Sequence, residues 1–219
     1  MIRQAETQEP TSRAPLNQQS AKRLAYSAAA AAAAGMATSS EAATLYSLPI
    51  YEDIPQFTAF DFDLNKDGIG DVLLKNYVFG GNYQGGTVNY FPGKFVTSNA
   101  SFPFYTTALE FGDTIGPAET AGGSFQGTFG YANNPNSEFD NAADKYIGLE
   151  FPINGASHFA WIRVTIDNAA GTFLVKDWGY SDTPGEAVIA GVAPEPGTLG
   201  LLAAGAAGVA SMRRRCETA

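Results

Sequence analysis

Oxygen-bearing side chains recur at alternate positions in one short polar segment of the chain. The segment reads Asp63-Leu-Asn65-Lys-Asp67-Gly-Ile69-Gly-Asp71. Alternating oxygens followed by a glycine let the backbone wrap around a hard cation, and an all-oxygen ligand set favours calcium. Asp63, Asn65 and Asp67 would bind directly, Ile69 through its carbonyl, and Asp71 directly or through water. The sequence therefore predicts a structural calcium site, the alternative being a polar turn with solvated carboxylates.

The same segment differs from an EF-hand in two respects. An EF-hand loop has a bidentate Glu at its twelfth position, which here is Leu74, and it lies between helices, whereas these flanks have strand character. The segment instead resembles the Asp-x-Asn-x-Asp-Gly calcium loops of extracellular bacterial β-proteins. That resemblance implies an ion that ties a hairpin together.

Acidic residues on the predicted strands are candidates for a catalytic pair. Glycoside hydrolysis needs two carboxylates across a cleft, and Glu150, Asp167 and Asp177 are the candidates. Carboxylates on the solvent face of a strand are common, and Arg163 can pair with Asp167 or Asp177 across neighbouring strands. His158 is accompanied by no nucleophile motif of the type Gly-x-Ser-x-Gly. We therefore predict no catalytic residue and a protein that is not an enzyme.

Aromatic residues are numerous: fifteen Phe, ten Tyr and two Trp. Packing in a β-sandwich core is the default explanation for so many rings. A strip of exposed rings could instead stack on sugars, with Tyr83, Tyr90, Tyr131 and Trp178 as candidate members. The sequence alone leaves both interpretations open.

The charge distribution argues against some partners. Residues 43–193 contain six Lys and Arg against 17 Asp and Glu, so this part of the chain is strongly acidic. An acidic surface repels phosphate backbones, which argues against nucleic-acid binding. The single histidine excludes a histidine-cluster metal site within one chain, and the single cysteine excludes an intrachain disulfide.

Short strand-like runs follow one another from residue 45 to about residue 190. Each is bounded by Gly, Pro, Asn or Asp, and no uninterrupted helical stripe appears. This spacing predicts an all-β fold, an antiparallel β-sandwich or jelly-roll-like domain. In the run at residues 158–167, the alternation places Ala160, Ile162, Val164 and Ile166 on the core face. Residues 167–171 predict a hairpin connection.

The N-terminal segment has the three parts of a secretory signal. Lys22 and Arg23 precede an Ala-rich apolar run, and small residues follow it. We predict cleavage between Ala42 and Ala43. The predicted organisation is a leader and signal helix over residues 1–42, an exported β-domain over 43–190, and a C-terminal segment over 191–219.

The C-terminal segment combines Pro194-Glu195-Pro196, an apolar stretch and Arg213-Arg214-Arg215. The apolar stretch, residues 198–212, has 15 residues. It is shorter than the roughly 20 that span a bilayer comfortably. The arginines would stay cytoplasmic by the positive-inside rule, as a membrane stop for a short transmembrane helix. Physical reasoning predicts a marginal anchor and gives no reason for the tripeptide.

The three parts in this order resemble the PEP-CTERM sorting signal of Gram-negative bacteria. The resemblance implies that exosortase, a membrane enzyme, recognises the tripeptide region and removes the helix. Residues 145–153, 159–164, 177–180 and 183–186 also look like a run common in uncharacterised PEP-CTERM proteins. That second resemblance implies an architecture and no chemistry.

Two functions follow as hypotheses. The first is a non-enzymatic surface or matrix protein, sorted by exosortase and associated with exopolysaccharide or biofilm. The second is a secreted carbohydrate-binding module or glycan-active hydrolase with a structural calcium loop. Both imply the Sec machinery, signal peptidase and exosortase as partners, and transient inner-membrane anchoring before release to the cell surface of a Gram-negative bacterium.

Overall fold

The computed structural model describes residues 44–132 and 134–193, and this part of the chain is built from short and long antiparallel strands. The strands are β1 Thr44–Tyr46, β2 Glu52–Asp53, β3 Thr58–Phe62, β4 Val72–Val78, β5 Asn82–Val88, β6 Lys94–Phe95, β7 Ala108–Leu109, β8 Thr114–Ile115, β9 Gln126–Tyr131, β10 Asn141–Ile153, β11 Ala156–Asp167, β12 Thr172–Ser181 and β13 Val188–Ile189. Within the same residues a short helix, α1, spans Pro117–Thr120. The predicted all-β class is confirmed.

Two sheets form the domain. Sheet I has the order β1-β12-β11-β10-β6, with β2 also paired to β12 and β7 also paired to β10. Sheet II has the order β3-β4-β5-β9, and a separate pair joins β13 to β8. All these strand pairings are antiparallel.

The main core lies between the two sheets. Val72 and Leu74 of sheet II belong to the same buried cluster as Ile162 of sheet I. Phe129 of sheet II meets Phe173 of sheet I edge to face, with 5.9 Å between ring centroids. Interdigitation of two inner faces in this way is the packing of a β-sandwich, as the strand spacing predicts.

Strand β11 buries side chains on both faces. Its even-numbered residues, Ala160, Ile162, Val164 and Ile166, face the main core as predicted. On the opposite face Trp161 is equally buried, because the β8–β13 pair covers it in a second apolar cluster. Sheet I is therefore covered on both sides over part of its length.

The hairpin predicted at residues 167–171 is confirmed as the connection between β11 and β12. Gly171 adopts a φ of +71° there, a conformation that glycine reaches without a Cβ penalty. Two other strands have bounds that differ from the predicted ones. The strand expected at residues 86–91 runs over β5 and ends at Val88, and the single strand expected at residues 104–111 is reduced to β7.

Residues 44–132 and 134–193 include no helix long and apolar enough to cross a membrane. The predicted signal helix and the predicted C-terminal helix lie outside the described residues.

Candidate functional site

A groove of about 460 Å³ opens on the face of sheet II that points away from the main core. Its volume lies in the range of small-molecule sites, which combine apolar walls with a few polar groups. Its lining is mainly aromatic, with one cation and several hydroxyl and amide groups: Lys75, Phe79, Tyr83, Gly86, Thr87, Phe102, Pro103, Phe104, Gln126, Thr128 and Tyr131.

Strand register arranges the floor of this groove in rows. Tyr83 of β5 lies opposite Tyr77 of β4 on one side and Tyr131 of β9 on the other. Two residues further along β5, Gly85 lies between Lys75 and Thr128. Alternation along a strand places both rows on the outer face.

Gly85 makes room for the Tyr83 side chain on the floor of the groove. A β-carbon at position 85 would overlap the hydroxyl of Tyr83, because the Tyr83 side chain packs over Gly85. Burial raises the pKa of Tyr83, while its hydrogen bond with Thr128 acts in the opposite direction. The phenol therefore stays protonated at neutral pH and remains a hydrogen-bonding group inside the groove.

One end of the groove is an aromatic cluster. The ring centroids of Phe79 and Tyr83 are 5.7 Å apart, and those of Tyr83 and Tyr131 are 6.1 Å apart. The Tyr131 hydroxyl donates to the Phe79 carbonyl at 2.9 Å. Phe79 remains 59% exposed, so a ligand can reach its ring in a cluster whose geometry is already fixed.

A second wall of the groove is the segment that contains Phe102 and Phe104. Their rings meet edge to face at 6.3 Å, and Phe102 is 79% exposed. The Thr128 amide donates to the Phe104 carbonyl at 2.7 Å, which ties the segment to the edge of β9. Asn99 braces it further, because its side chain donates to the Pro103 carbonyl and accepts from the Tyr105 amide.

Lys75 supplies the charge of the groove. Its ammonium donates to the Thr87 hydroxyl at 2.6 Å, and burial lowers its pKa. Gln126, on the neighbouring strand opposite Thr87, adds an exposed amide. The groove thus offers ring faces for apolar contact and donors of both neutral and charged character.

Of the four aromatic residues that the sequence suggested for sugar stacking, two line the groove. Tyr83 and Tyr131 are adjacent in it, whereas Tyr90 does not contribute to the lining. Trp178 belongs to the core, the other interpretation that the sequence left open: it is buried against Phe62, and its indole N–H donates to the Leu64 carbonyl at 3.2 Å.

The segment of residues 63–71 connects β3 to β4. The two carboxylate oxygens of Asp63 accept the amides of Asp67 and Gly68, at 3.1 and 2.7 Å. Asn65 Oδ1 also accepts the Asp67 amide, and Asp67 Oδ1 accepts the Ile69 amide. Gly68 adopts the left-handed φ of +91° that the predicted sharp turn requires.

These contacts are those of a polar turn closed by its own backbone. Within residues 44–132 and 134–193, no group of three or more Asp, Glu, His or Cys side chains is placed to hold a metal ion. Carboxylate oxygens have further lone pairs, and calcium binding at this segment stays a prediction.

Asp71 is the buried member of the same segment. It is 4% exposed, and its Oδ2 accepts the Leu64 amide at 2.8 Å. Burial raises its pKa to about 6, and the nearby carboxylates of Asp67 and Asp63 act in the same direction. Ile69, the predicted carbonyl ligand, has a side chain that is 54% exposed.

The three acidic candidates for a catalytic pair lie apart on sheet I. Phe159 of β11 lies opposite Glu150 of β10. Arg163, four positions further along β11, lies opposite Asp177 of β12. At about 3.3 Å per residue this is about 13 Å along the strand, which is too far for either glycosidase arrangement. Asp167 lies a further four positions away, opposite Thr172.

Each of the two buried carboxylates is occupied by structural partners. Glu150 accepts the hydroxyls of Ser157 and Thr120, at 2.6 and 3.0 Å, and its Oε2 lies 3.3 Å from Lys94 Nζ. Asp177 pairs with Arg163, one of the two pairings that the sequence left open.

Asp177 also accepts the hydroxyl of Tyr46 at 2.8 Å. Burial, reinforced by this bond, raises the pKa of Tyr46 to about 12. His158 has an equally structural role: it is buried, and its Nδ1–H donates to the Ser181 carbonyl at 2.8 Å.

Comparison with protein families yields a match in the C-terminal segment. Residues 192–215 match the family described as the PEP-CTERM protein-sorting motif. The chain carries a PEP-CTERM sorting signal. The resemblance seen in the sequence is confirmed over this segment, and it indicates an exported surface protein that is anchored transiently at the membrane and processed by exosortase.

No curated protein and no solved structure matches the chain. The β-domain therefore receives no function from a relative.

The linear signals fall outside the described residues. This holds for the predicted cleavage site at Ala42 and Ala43, for the sorting tripeptide Pro194, Glu195 and Pro196, and for the membrane stop of Arg213, Arg214 and Arg215.

Proposed function

We propose that this PEP-CTERM protein is a non-enzymatic surface or matrix protein whose β-domain binds exopolysaccharide in the groove of sheet II. The observation that carries the proposal is the juxtaposition of exposed aromatic rings with fixed polar groups on one open sheet face. A sugar ring has an apolar C–H face and a polar edge, so both kinds of surface are needed to hold it. The sorting signal supports a location in which such a glycan is encountered.

An open face suits a polymer better than an isolated small molecule. Two different segments bear the aromatic walls of the groove: the cluster around Tyr83, and the segment of Phe102 and Phe104. A linear glycan can lie across this floor and contact both walls. We therefore expect affinity to rise with chain length until both walls are covered.

Binding without turnover is supported by the composition of the lining. The groove residues in the described part of the chain include no Asp, Glu, His or Cys, and hydrolysis of a glycosidic bond ordinarily needs two carboxylates. The hydrolase alternative rests on Glu150 and Asp177. Both lie in sheet I, outside the groove, where Glu150 accepts the Ser157 hydroxyl and Asp177 accepts the Arg163 guanidinium.

The export route completes the proposal. We propose Sec-dependent export, removal of the signal between Ala42 and Ala43, brief anchoring by residues 198–212, and release by exosortase in a Gram-negative biofilm. For residues 63–71 we propose a structural calcium ion, supported by the oxygen-only donor set and the turn at Gly68.

The groove is tested by alanine substitution of its most exposed rings. Phe79→Ala and Phe102→Ala should each weaken binding to a captured exopolysaccharide about fivefold or more, because truncating a central aromatic contact costs more than about 1 kcal/mol. Phe91→Ala is the matched control, since Phe91 is 96% exposed and does not line the groove. Binding is measured by glycan array followed by calorimetry with the purified protein.

Two outcomes would overturn the proposal. If Phe79→Ala and Phe102→Ala bind the glycan as tightly as wild type and Phe91→Ala do, the groove is not the binding surface. Shortening of any bound glycan, detected by size-exclusion chromatography and lost in Glu150→Gln or Asp177→Asn, would show that the protein is an enzyme.

A further inference from the structure

Most cations of the β-domain are paired with acidic side chains. Residues 43–193 contain six Lys and Arg. Four of them form ion pairs within sheet I and its borders: Lys94 with Glu150, Lys145 with Glu110, Arg163 with Asp177, and Lys176 with Asp144. Lys66 is exposed in the segment of residues 63–71. Lys75 is thus the exception among the cations that are withdrawn from solvent.

Lys75 lies in the groove and forms no ion pair within residues 44–132 and 134–193. Its ammonium donates to the neutral Thr87 hydroxyl at 2.6 Å. Asp61 of β3 is on the outer face of sheet II, as Lys75 is, but it lies opposite Leu73, and its Oδ1 accepts the side-chain Nδ2–H of Asn89 at 2.8 Å. The charge of Lys75 therefore points into the groove without compensation.

An uncompensated, partly buried ammonium is costly to the fold. Desolvation disfavours its charged form, as the lowered pKa of Lys75 reflects. A domain with 17 acidic residues in this part of the chain has many ways to pair a lysine, yet this one has a neutral partner. An anionic ligand group in the groove would supply the missing charge and form a charge-assisted hydrogen bond.

We infer that the groove binds a glycan that contains a uronic acid. The carboxylate of this sugar binds Lys75, and the neighbouring sugar rings of the glycan contact Tyr83 and Phe102. The inference rests on the proposed glycan binding and names the class of glycan. The spare donor capacity of the ammonium, which has three N–H groups, allows it to keep Thr87 as a partner.

The surrounding charge sets a limit on the density of carboxylates. Acidic groups outnumber basic ones almost three to one in the β-domain, so a dense polyanion is repelled along most of its length. Screening confines this repulsion to about 8 Å at physiological salt. An isolated uronate in an otherwise neutral glycan is attracted by Lys75, and it is repelled only weakly by the acidic groups elsewhere on the domain.

The test compares matched polysaccharides on the wild-type protein. The first probe is gellan, a linear bacterial polysaccharide with a single glucuronate in each repeat, and the second is the same polymer after reduction of its carboxyl groups to alcohols. We expect the reduced polymer to bind about tenfold more weakly, because a hydrogen bond to a charged group is worth about that factor. Polygalacturonate, with a carboxylate on every sugar, should bind more weakly than gellan at low salt.

Lys75→Met removes the charge and keeps the apolar stem. It should bind native and reduced gellan with equal affinity, whereas Lys75→Arg should retain the preference. Lys66→Met is the matched control, because it removes a cation outside the groove. Circular dichroism confirms that each variant is folded, and the two-polymer comparison on the wild type needs no variant.

The outcomes separate this inference from the proposed function. Equal binding of native and reduced gellan by the wild type, with loss in Phe102→Ala, would overturn the carboxylate preference and leave glycan binding intact. Binding of neither gellan nor any array glycan would overturn both. A preference for native gellan that persists in Lys75→Met would place the anion elsewhere and refute the role of Lys75.

Discussion

Substitution of Asp177 by Asn tests whether this carboxylate is a structural group. Asp177 is 1% exposed and accepts hydrogen bonds from Arg163 Nε at 2.9 Å, from Arg163 Nη2 and from the Tyr46 hydroxyl. Asn is nearly isosteric but carries no charge and offers one acceptor oxygen in place of two. The variant therefore leaves a guanidinium without its buried partner.

The size of the effect follows from the burial of the two partners. Removing one member of a buried ion pair costs about 3–5 kcal/mol. The Arg163 side chain is 27% exposed, so water can solvate part of its guanidinium, and the lower end, about 3 kcal/mol, applies. In a chain of this size each kcal/mol shifts the melting temperature by about 2–4 °C. We expect a decrease of about 6–12 °C.

Urea denaturation and differential scanning calorimetry of the purified protein provide the measurement. Asp144→Asn is the control, because Asp144 contacts the same Arg163 and also Lys176 with a side chain that is 55% exposed. An exposed pair is worth less than about 1 kcal/mol. If Asp177→Asn destabilises the protein no more than Asp144→Asn does, the structural role argued for Asp177 is refuted.

The remaining predictions concern the segment of residues 63–71. Because burial raises the folded-state pKa of Asp71 to about 6 from 3.8, its contribution to stability is present below pH 4 and is lost as the pH rises to about 6, an effect of up to about 3 kcal/mol. In EDTA, Asp71→Asn should therefore gain stability relative to wild type between pH 4 and pH 7 in urea titrations, and parallel pH profiles would contradict this. Calcium at millimolar concentration should raise the melting temperature of wild type but not of Asp67→Ala, and an unchanged wild-type value would leave only the polar turn.

The groove itself was only partly predictable from the sequence. Tyr83 and Tyr131 were candidates because of their residue type, yet they are far apart in the chain and become neighbours through the pairing of β5 with β9. That pairing contains a bulge between Gln84 and Gly85, which shifts the register and which no alternation pattern reveals. No sequence pattern singles out Lys75. Its distinguishing property is that no acidic side chain within residues 44–132 and 134–193 pairs with it, and this depends on the tertiary structure.

Trp178 illustrates the same limit in the opposite direction. A simple alternation places it on the same face of β12 as Lys176, but an extra residue beside Val175 breaks the register with β11. Asp177 then faces Arg163 on the outer side, and Trp178 turns into the core beside Phe62. One inserted residue decides which of two adjacent side chains is buried.

The sequence by itself determined the sorting signal and the all-β class. The signal is a linear pattern, Pro194-Glu195-Pro196 followed by an apolar stretch and arginines. The class depends on local spacing, which survives without knowledge of any partner strand. Only the tertiary structure decided that Tyr83, Phe102 and Lys75 share one groove, because strand register and bulges are set by contacts between distant parts of the chain.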